Sequence, residues 1–275
     1  MHDVPTRDAA MAGRWYPRST SDLTNEIDRY LRAARTTRLT TVTAIIAPHA
    51  GLMYSGPVAA YAYQELEDRD FDLAVLVGPA HAGGFDGVAL WPRGQFASPL
   101  GGALIDAEAA DRIAEYAPAV RTLEGAHLRE HSLEMQLPFL KRVAPDATIL
   151  PLLMGWQTRD TADALTAALV AAVSGRRAVL IASTDLSHYE DAGRAAELDA
   201  VVIHHVERFD SEGLQEALSR NPHHACGGGP AVAVMRAAWA LGARDSIVHR
   251  YADSGDVSGD KSSVVGYLAA ALGLK

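Results

Sequence analysis

Three side chains carry the chemistry most worth following: His49, His81 and Cys226. His49 ends the apolar run TVTAIIAPH, His81 follows LAVLVGPA in the same strand-then-turn setting, and Cys226 opens the loop CGGGP. Two neutral imidazoles with one soft or acidic third ligand make an open transition-metal site. A carboxylate as third ligand favours non-haem Fe(II), whereas a thiolate shifts preference toward softer ions such as Zn(II) or Cu(I). Each histidine taken singly is more simply a core or turn residue bonded to a backbone carbonyl; the matched settings of the pair favour a site. Cys226 taken singly is a buried small hydrophobe, but a place before three glycines at the entry to a helix would lower its pKa and expose it.

Other groups could serve such a site. Asp185 and His188, three apart after the apolar run AVLIA, form an oriented acid–base pair if the carboxylate fixes the imidazole tautomer. The plainer reading makes Asp185 a helix cap and leaves His188 in solvent. His131 and Glu134 share one helical face if their segment is a helix, and serve either a structural hydrogen bond or substrate contact. His204, His205, His223 and His224 have no matching partners and read as surface residues. Asp253, Asp256 and Asp260 resemble a calcium loop only loosely, since the closing bidentate glutamate is missing.

The elements that must position these groups alternate between strand and helix. Residues 41–46, 73–77, 148–153 and 178–182 are apolar and β-prone, as buried parallel strands are, with further strands at 88–91, 247–252 and 264–271. Helices are expected after Ser19–Asp22, over 56–66, from the Asp106 cap to Tyr116, and over 160–173, 190–206, 211–218 and 231–241. Small residues in 56–66 would let that helix approach the sheet closely. The glycines of 83–87 suit a mobile or tightly turned loop over a site. This alternation predicts an α/β three-layer sandwich with a mainly parallel central sheet. In such sheets ligands bind outside the carboxyl ends of the strands, where His49, His81 and the 183–188 segment fall.

Composition bounds the rest. The 275 residues, 48% hydrophobic and 21% charged, suit an ordinary globular protein and a single domain over 1–275. A net charge of −9 argues against a duplex nucleic-acid binder. There is no apolar stretch of membrane-spanning length and no apolar signal core in MHDVPTRDAA, so a cytoplasmic protein is expected. A lone cysteine excludes an intrachain disulfide and fits a reducing compartment.

Six spaced motifs carry a resemblance. They are Gly13-Arg14-Trp15-Tyr16-Pro17; Ala47-Pro48-His49-Ala50-Gly51 with Tyr54-Ser55-Gly56; Gly78-Pro79-Ala80-His81; Glu130-His131-Ser132-Leu133-Glu134 with Gln136-Leu137-Pro138; Ser183-Thr184-Asp185-Leu186-Ser187-His188; and Cys226-Gly227. From about residue 10 to the C-terminus the chain resembles the Memo family, whose bacterial and archaeal members are often labelled protein B of the AmmeMemoRadiSam system. The resemblance implies a fold shared with class III extradiol dioxygenases, which use non-haem Fe(II) to open catechol rings. It places His49, His81 and Cys226 at the family's metal-binding positions and Asp185 and His188 in the same pocket. Trp15, Tyr54, His131 and Glu134 are expected to contact the substrate. A cysteine stands where the dioxygenases carry a glutamate ligand, which changes the charge, softness and redox potential of any metal held there.

The functional expectation is therefore a metal-dependent oxidoreductase acting on a small molecule, with Fe(II) first, copper next and zinc last. His188 would be acid or base and Asp185 its orienting group, and a radical-enzyme partner is possible. A non-catalytic adaptor that binds a peptide or protein is the alternative, and a hydrolase with Cys226 as nucleophile and His188 as base is a third reading.

Overall fold

The protein is described from a computed structural model covering residues 5–275. Residues 1–4, part of the segment read as lacking a signal core, lie outside the described residues. Among the described residues, nine strands form one sheet: β1 (Thr41–Ala47), β2 (Leu73–Pro79), β3 (Val88–Leu90), β4 (Val120–Thr122), β5 (Thr148–Met154), β6 (Ala178–Ser183), β7 (His188–Glu190), β8 (Asp245–Asp253) and β9 (Val264–Leu274). The order is β7-β9-β1-β6-β2-β5-β3-β4, with β8 also paired to β9. The central strands β1, β6, β2 and β5 are mutually parallel. Antiparallel pairings flank them, β9 against β1 on one side and β3 against β5 on the other.

Because side chains alternate across a strand, each central strand feeds two cores. Ala44 and Ile46 of β1, with Val75 and Val77 of β2, pack toward helices at Ala107–Tyr116, Arg159–Val173 and Gly228–Ala240. Ile45, Ala47, Ala74 and Leu76 face the opposite layer, built on helices Thr20–Ala33, Leu52–Gln64 and Leu137–Val143. The result is the expected three-layer α/β sandwich. No helix among the described residues is long and apolar enough to cross a membrane.

Local signals mostly hold. Ser19 caps the first helix by accepting from the Asp22 amide, and Asp106 caps its helix by accepting from Ala109. The helix expected from Gly56 begins four residues earlier, at Leu52, and carries Pro57 inside it. Its alanines Ala59, Ala60 and Ala62 are buried in the same core as the sheet residues Ile45 and Leu76, while Gly56 faces the first helix, where a Cβ would lie 2.8 Å from the Tyr30 ring. The helix expected from Glu190 starts at Ala192 on an Asp191 cap, because 188–190 is taken by β7. The His131–Glu134 segment is not one helical face. It is a turn followed by a short 3-10 helix at Glu134–Gln136.

Candidate metal centre

His49 lies two residues past β1, and its ring is fixed from behind by a chain of hydrogen bonds. Tyr63 donates to Gln136 Oε1 at 2.9 Å, which orients the amide so that Gln136 Nε2 donates to Pro48 O at 3.1 Å and to Ser183 Oγ at 2.8 Å. Ser183 spends its single hydroxyl proton on Ser132 O at 2.6 Å. Its oxygen can then only accept from His49 Nδ1, 2.9 Å away. The proton of the neutral ring therefore sits on Nδ1, and Nε2 presents a lone pair. Burial and the nearby His81 hold the imidazole well below its ordinary pKa, so it is neutral.

His81, just past β2, is arranged alike through a carboxylate. Its Nδ1 lies 2.8 Å from Glu130 Oε1, which also accepts from the amides of His131 at 2.8 Å and Ser132 at 2.9 Å. Burial alone would raise the Glu130 pKa, but the bond from His81, its charge and the amide donors outweigh that and hold the carboxyl low. Four N–H groups thus saturate Glu130, His81 N supplying the fourth to Oε2. His81 Nε2 is left free, the arrangement in which a carboxylate orients a ligating histidine.

Cys226 completes the set. Its sulfur is 3.3 Å from His49 Nε2 and accepts from Asp185 N at 3.3 Å. One donor atom from each of His49, His81 and Cys226 lies within 4.8 Å of the others. A second combination, His81, Glu130 and His131, meets the same distance, with three N–H donors on Glu130 Oε1 and one on Oε2. The expected lowered thiol pKa is overturned. Burial first, then the charge of Asp185, push the Cys226 thiol up, although the residue remains partly exposed. Its imidazole neighbour is His49, not His188.

Asp185 and His188 do not form the expected pair. Asp185 Oδ1 accepts from His49 N at 2.7 Å, and His188 Nδ1 donates to Leu186 O at 2.8 Å. The backbone turns into β7 immediately after Asp185, so the two side chains serve different partners. Burial raises Asp185 to about 7 against the opposing amide bonds from His49 and Ala50. Burial lowers His188, which keeps it a neutral ring with a free Nε2. Asp199, which the sequence did not single out, fastens this turn by accepting from Ser187 N and Tyr251 OH, each at 2.8 Å.

The centre opens into a cavity of about 790 Å³ lined by Trp15, His49, His81, His131, Asp185, His188 and Cys226, among others. His131 stacks on His81 with centroids 4.4 Å apart and 16° between planes, and Trp15 packs against His131 at 4.4 Å. Burial and the His81 charge bring His131 down to about 4. Trp15 and His131 line this cavity, whereas Tyr54 and Glu134 lie outside the lining. Glu134 is fully buried and bonded to Arg7 Nη1, to Tyr16 OH at 2.6 Å and to the amides of Ala10 and Met11. It anchors the N-terminal segment instead.

Two further expectations change. His224 is buried, with Nδ1 donating to Leu198 O at 2.9 Å. The loose calcium-loop likeness gives way to an internal cation, since Lys261 Nζ bonds Asp253 and Asp256 at 2.7 Å each. Glu130 and Ser183 are the site residues that sequence reasoning passed over. Both stood inside quoted motifs, each a polar group beside a histidine-bearing strand end.

These features define a three-layer α/β protein with a His/His/Cys donor set at the carboxyl ends of its central strands. The profile of the family described as Memo-like protein matches residues 7–271. The chain is 41% identical over 266 residues to a MEMO1 family protein of Methanosarcina mazei, covering 96% of this chain and 97% of that one. It is 38% identical to another from Sulfolobus acidocaldarius, covering 83% and 81% respectively. The chain belongs to the Memo family. In fold it is similar to an uncharacterized Escherichia coli K12 protein, with TM-score 0.55, 16% identity and coverage of 83% of this chain and 99% of that one.

Proposed function

We propose that the protein is a metal-dependent oxidoreductase acting on a small molecule in the histidine-lined cavity. The observation that carries this is the paired second contacts: His49 Nδ1 held by Ser183 and His81 Nδ1 held by Glu130, so that both rings offer Nε2 beside the Cys226 sulfur. Ligating histidines usually have the other ring nitrogen fixed in this way, and the partner orients the ring and raises its basicity. A pocket needing only shape has no use for burying His49, Ser183, Glu130 and Asp185 together.

The donor set fits a divalent or soft ion. Two imidazoles and a thiolate suit Cu or Zn by softness, while the resemblance to the Fe(II)-dependent class III extradiol dioxygenases makes Fe(II) the preferred reading, with Cu next. Cys226 would give up its thiol proton on ligation, and an ion held by His49, His81 and Cys226 would supply redox or Lewis-acid chemistry to a substrate. The chain's own residues do the rest. His188 holds or takes a substrate proton at Nε2, with its tautomer fixed by Leu186 O, while Asp185 fixes the His49 backbone. Trp15 and His131 form an aromatic wall that orients the substrate and excludes water. A radical enzyme as pathway partner belongs to the same proposal.

The test is metal content. Anaerobically purified protein given Fe(II) is expected to bind about one equivalent at a single three-ligand site, and the double variant His49→Ala, His81→Ala to bind none. Metal analysis by mass spectrometry reads both. Undiminished iron in the double variant sinks the proposal, and anomalous scattering across the iron, copper and zinc edges names the natural ion.

A further inference from the structure

Each glycine of the stretch Cys226-Gly227-Gly228-Gly229-Pro230 seats the loop against a different element. A Cβ on Gly227 would run into Ser183 O at the end of β6. One on Gly228 would lie 2.6 Å from the Leu218 side chain of the helix Ser211–Arg220, and one on Gly229 2.7 Å from Met154 Sδ at the end of β5. The first of these neighbours is backbone, which cannot step aside, so Gly227 admits no side chain. One side of the loop is fastened to the residues that follow β6: Cys226 N donates to Asp185 O at 3.2 Å, and Gly227 N to Thr184 Oγ1 at 2.9 Å.

The other side cannot be held by the helix it enters. Gly227 O begins the helix Gly228–Ala240 by accepting from Ala231 N at 3.0 Å, but Pro230 has no N–H with which to extend the ladder back to Cys226 O. Gly227, at the N-cap, has no side chain to cap the first turn. Gln157 meets both needs from another element. Its Nε2 donates to Cys226 O at 2.6 Å, and its Oε1 accepts from Gly229 N at 2.7 Å. Turning the amide over would set oxygen against oxygen and N–H against N–H, so its partners determine its orientation. Gln157 stands on a fixed base. Gly155 N and Trp156 N bond Gly87 O and Phe85 O, which ties down the glycine loop 83–87, and Thr158 caps the helix Arg159–Val173 by accepting from Thr161 N. Gln157 is exposed, so core packing does not account for its placement.

We infer that Gln157 is the positioning residue of the thiolate: by clamping Cys226 O and Gly229 N it sets where the Cys226 sulfur stands against the His49 and His81 rings. This role presupposes the metal site proposed above. The sulfur hangs one side chain away from the clamp, and the Asp185 amide reaches it at 3.3 Å. Without Gln157 the Cys226–Gly227 peptide loses the bond on its carbonyl side, and the glycine that follows leaves that peptide free to rotate. Gln157 thus does for the sulfur what Ser183 and Glu130 do for the two imidazoles.

The probe is Co(II), titrated into the full chain after chelator treatment and read by the near-ultraviolet sulfur-to-cobalt charge-transfer band. Wild type is expected to show the band and Cys226→Ser to lose it, which assigns it to the thiolate. Gln157→Met, similar in size but with neither amide group, is expected to bind Co(II) about tenfold more weakly, as loss of a partner that orients a ligand does, and to show a weakened or displaced band. Gln157→Glu keeps an acceptor for Gly229 N but has no donor for Cys226 O, and is expected to match Gln157→Met. Melting temperatures of the metal-free variants should stay near that of wild type, since the residue is exposed. Wild-type affinity and band in Gln157→Met or in Gln157→Glu, or a lowered melting temperature with both unchanged, would overturn the positioning role and leave the metal site standing. Absence of the band in wild type would overturn the metal reading, and the role of Gln157 with it.

Discussion

Two glutamates four residues apart, Glu130 and Glu134, are both buried and both accept several hydrogen bonds, yet they belong to different parts of the protein. Glu130 looks toward β2, where it grips the His81 ring and backbone. Glu134 looks the other way, where it meets the Arg7 guanidinium and ties down residues 10–16. In the first region the carboxylate's work is to fix which nitrogen of an imidazole carries the proton. In the second it neutralises a cation that has itself left water, with 1% and 0% of the two side chains exposed. Similar burial therefore supports a reactive geometry in one place and chain anchoring in the other. The turn between them, with Ser132 donating to Pro79 O, reverses the direction in which the side chains point.

The largest effect should come from the anchoring region. Arg7 also donates to His127 O at 2.9 Å and to Glu130 O, so Arg7→Met strips a buried carboxylate of its counter-charge and two carbonyls of their donor. Breaking a buried pair from one side typically costs about 3–5 kcal/mol. Urea unfolding should report a loss of that order for Arg7→Met. With Glu134→Met added, the loss should be less than the two single losses summed, because no unpaired charge then remains, although Tyr16 OH and the Ala10 and Met11 amides lose their acceptor. If the double variant is less stable than the sum of the singles, the reading of Glu134 as an anchor fails.

Glu130→Gln should reverse the pattern. A neutral amide keeps an acceptor for the His131 and Ser132 amides but no longer fixes His81 as a carboxylate does. Removing such a partner typically lowers metal affinity about 10–100-fold. Unfolding free energy should move less than in Arg7→Met. A large stability loss with unchanged Fe(II) affinity would place Glu130 with the anchors and dissolve the contrast.

Ser183→Ala probes the other imidazole more gently. It leaves His49 Nδ1 without its acceptor and Gln136 Nε2 with only Pro48 O. Metal affinity should fall about tenfold, the low end for an orienting partner, and thiol labelling of Cys226 should be little changed. An unaltered affinity would mean that the ring is held by packing alone.

Much of this was legible in the chain. The two matched strand ends put His49 and His81 at one edge of the sheet, and the cap at Asp106 and the apolar runs set the layers. The linkage of Asp185 to the His49 backbone was not legible, nor that of His188 to Leu186 O, since both depend on a turn into β7 that no periodicity announces. Glu134 misled because a three-residue step suggests one helix face only when the segment is helical, and here it is a turn and a 3-10 helix. Cys226 misled in the opposite way: a helix entry lowers a thiol pKa, but here desolvation of the sulfur and the Asp185 charge outweigh it.

A carboxylate distant from both regions gives the contrast its lower reference. Asp106 caps its helix and pairs with Arg176 at 2.6 Å, with side chains 10% and 19% exposed. Burial acts to raise its pKa, but bonds from Arg176 and the Ala109 amide, with the guanidinium charge, outweigh it and hold the carboxyl below its ordinary 3.8. Asp106→Asn keeps Oδ1 as the cap but loses the charge and the Oδ2 bonds from Arg176 and Thr148, so the cost at pH 7 should reach about 1 kcal/mol, the upper end for pairs that water still reaches. A depressed carboxyl stabilises fully above its unfolded pKa and loses that contribution as the pH falls through the folded value. The gap between wild type and Asp106→Asn in chemical unfolding should accordingly shrink on acidification below pH 4. A gap that persists or widens there would show that the pair's contribution is not ionic, and Asp106 would then offer no scale for judging the buried charges of Arg7 and Glu134.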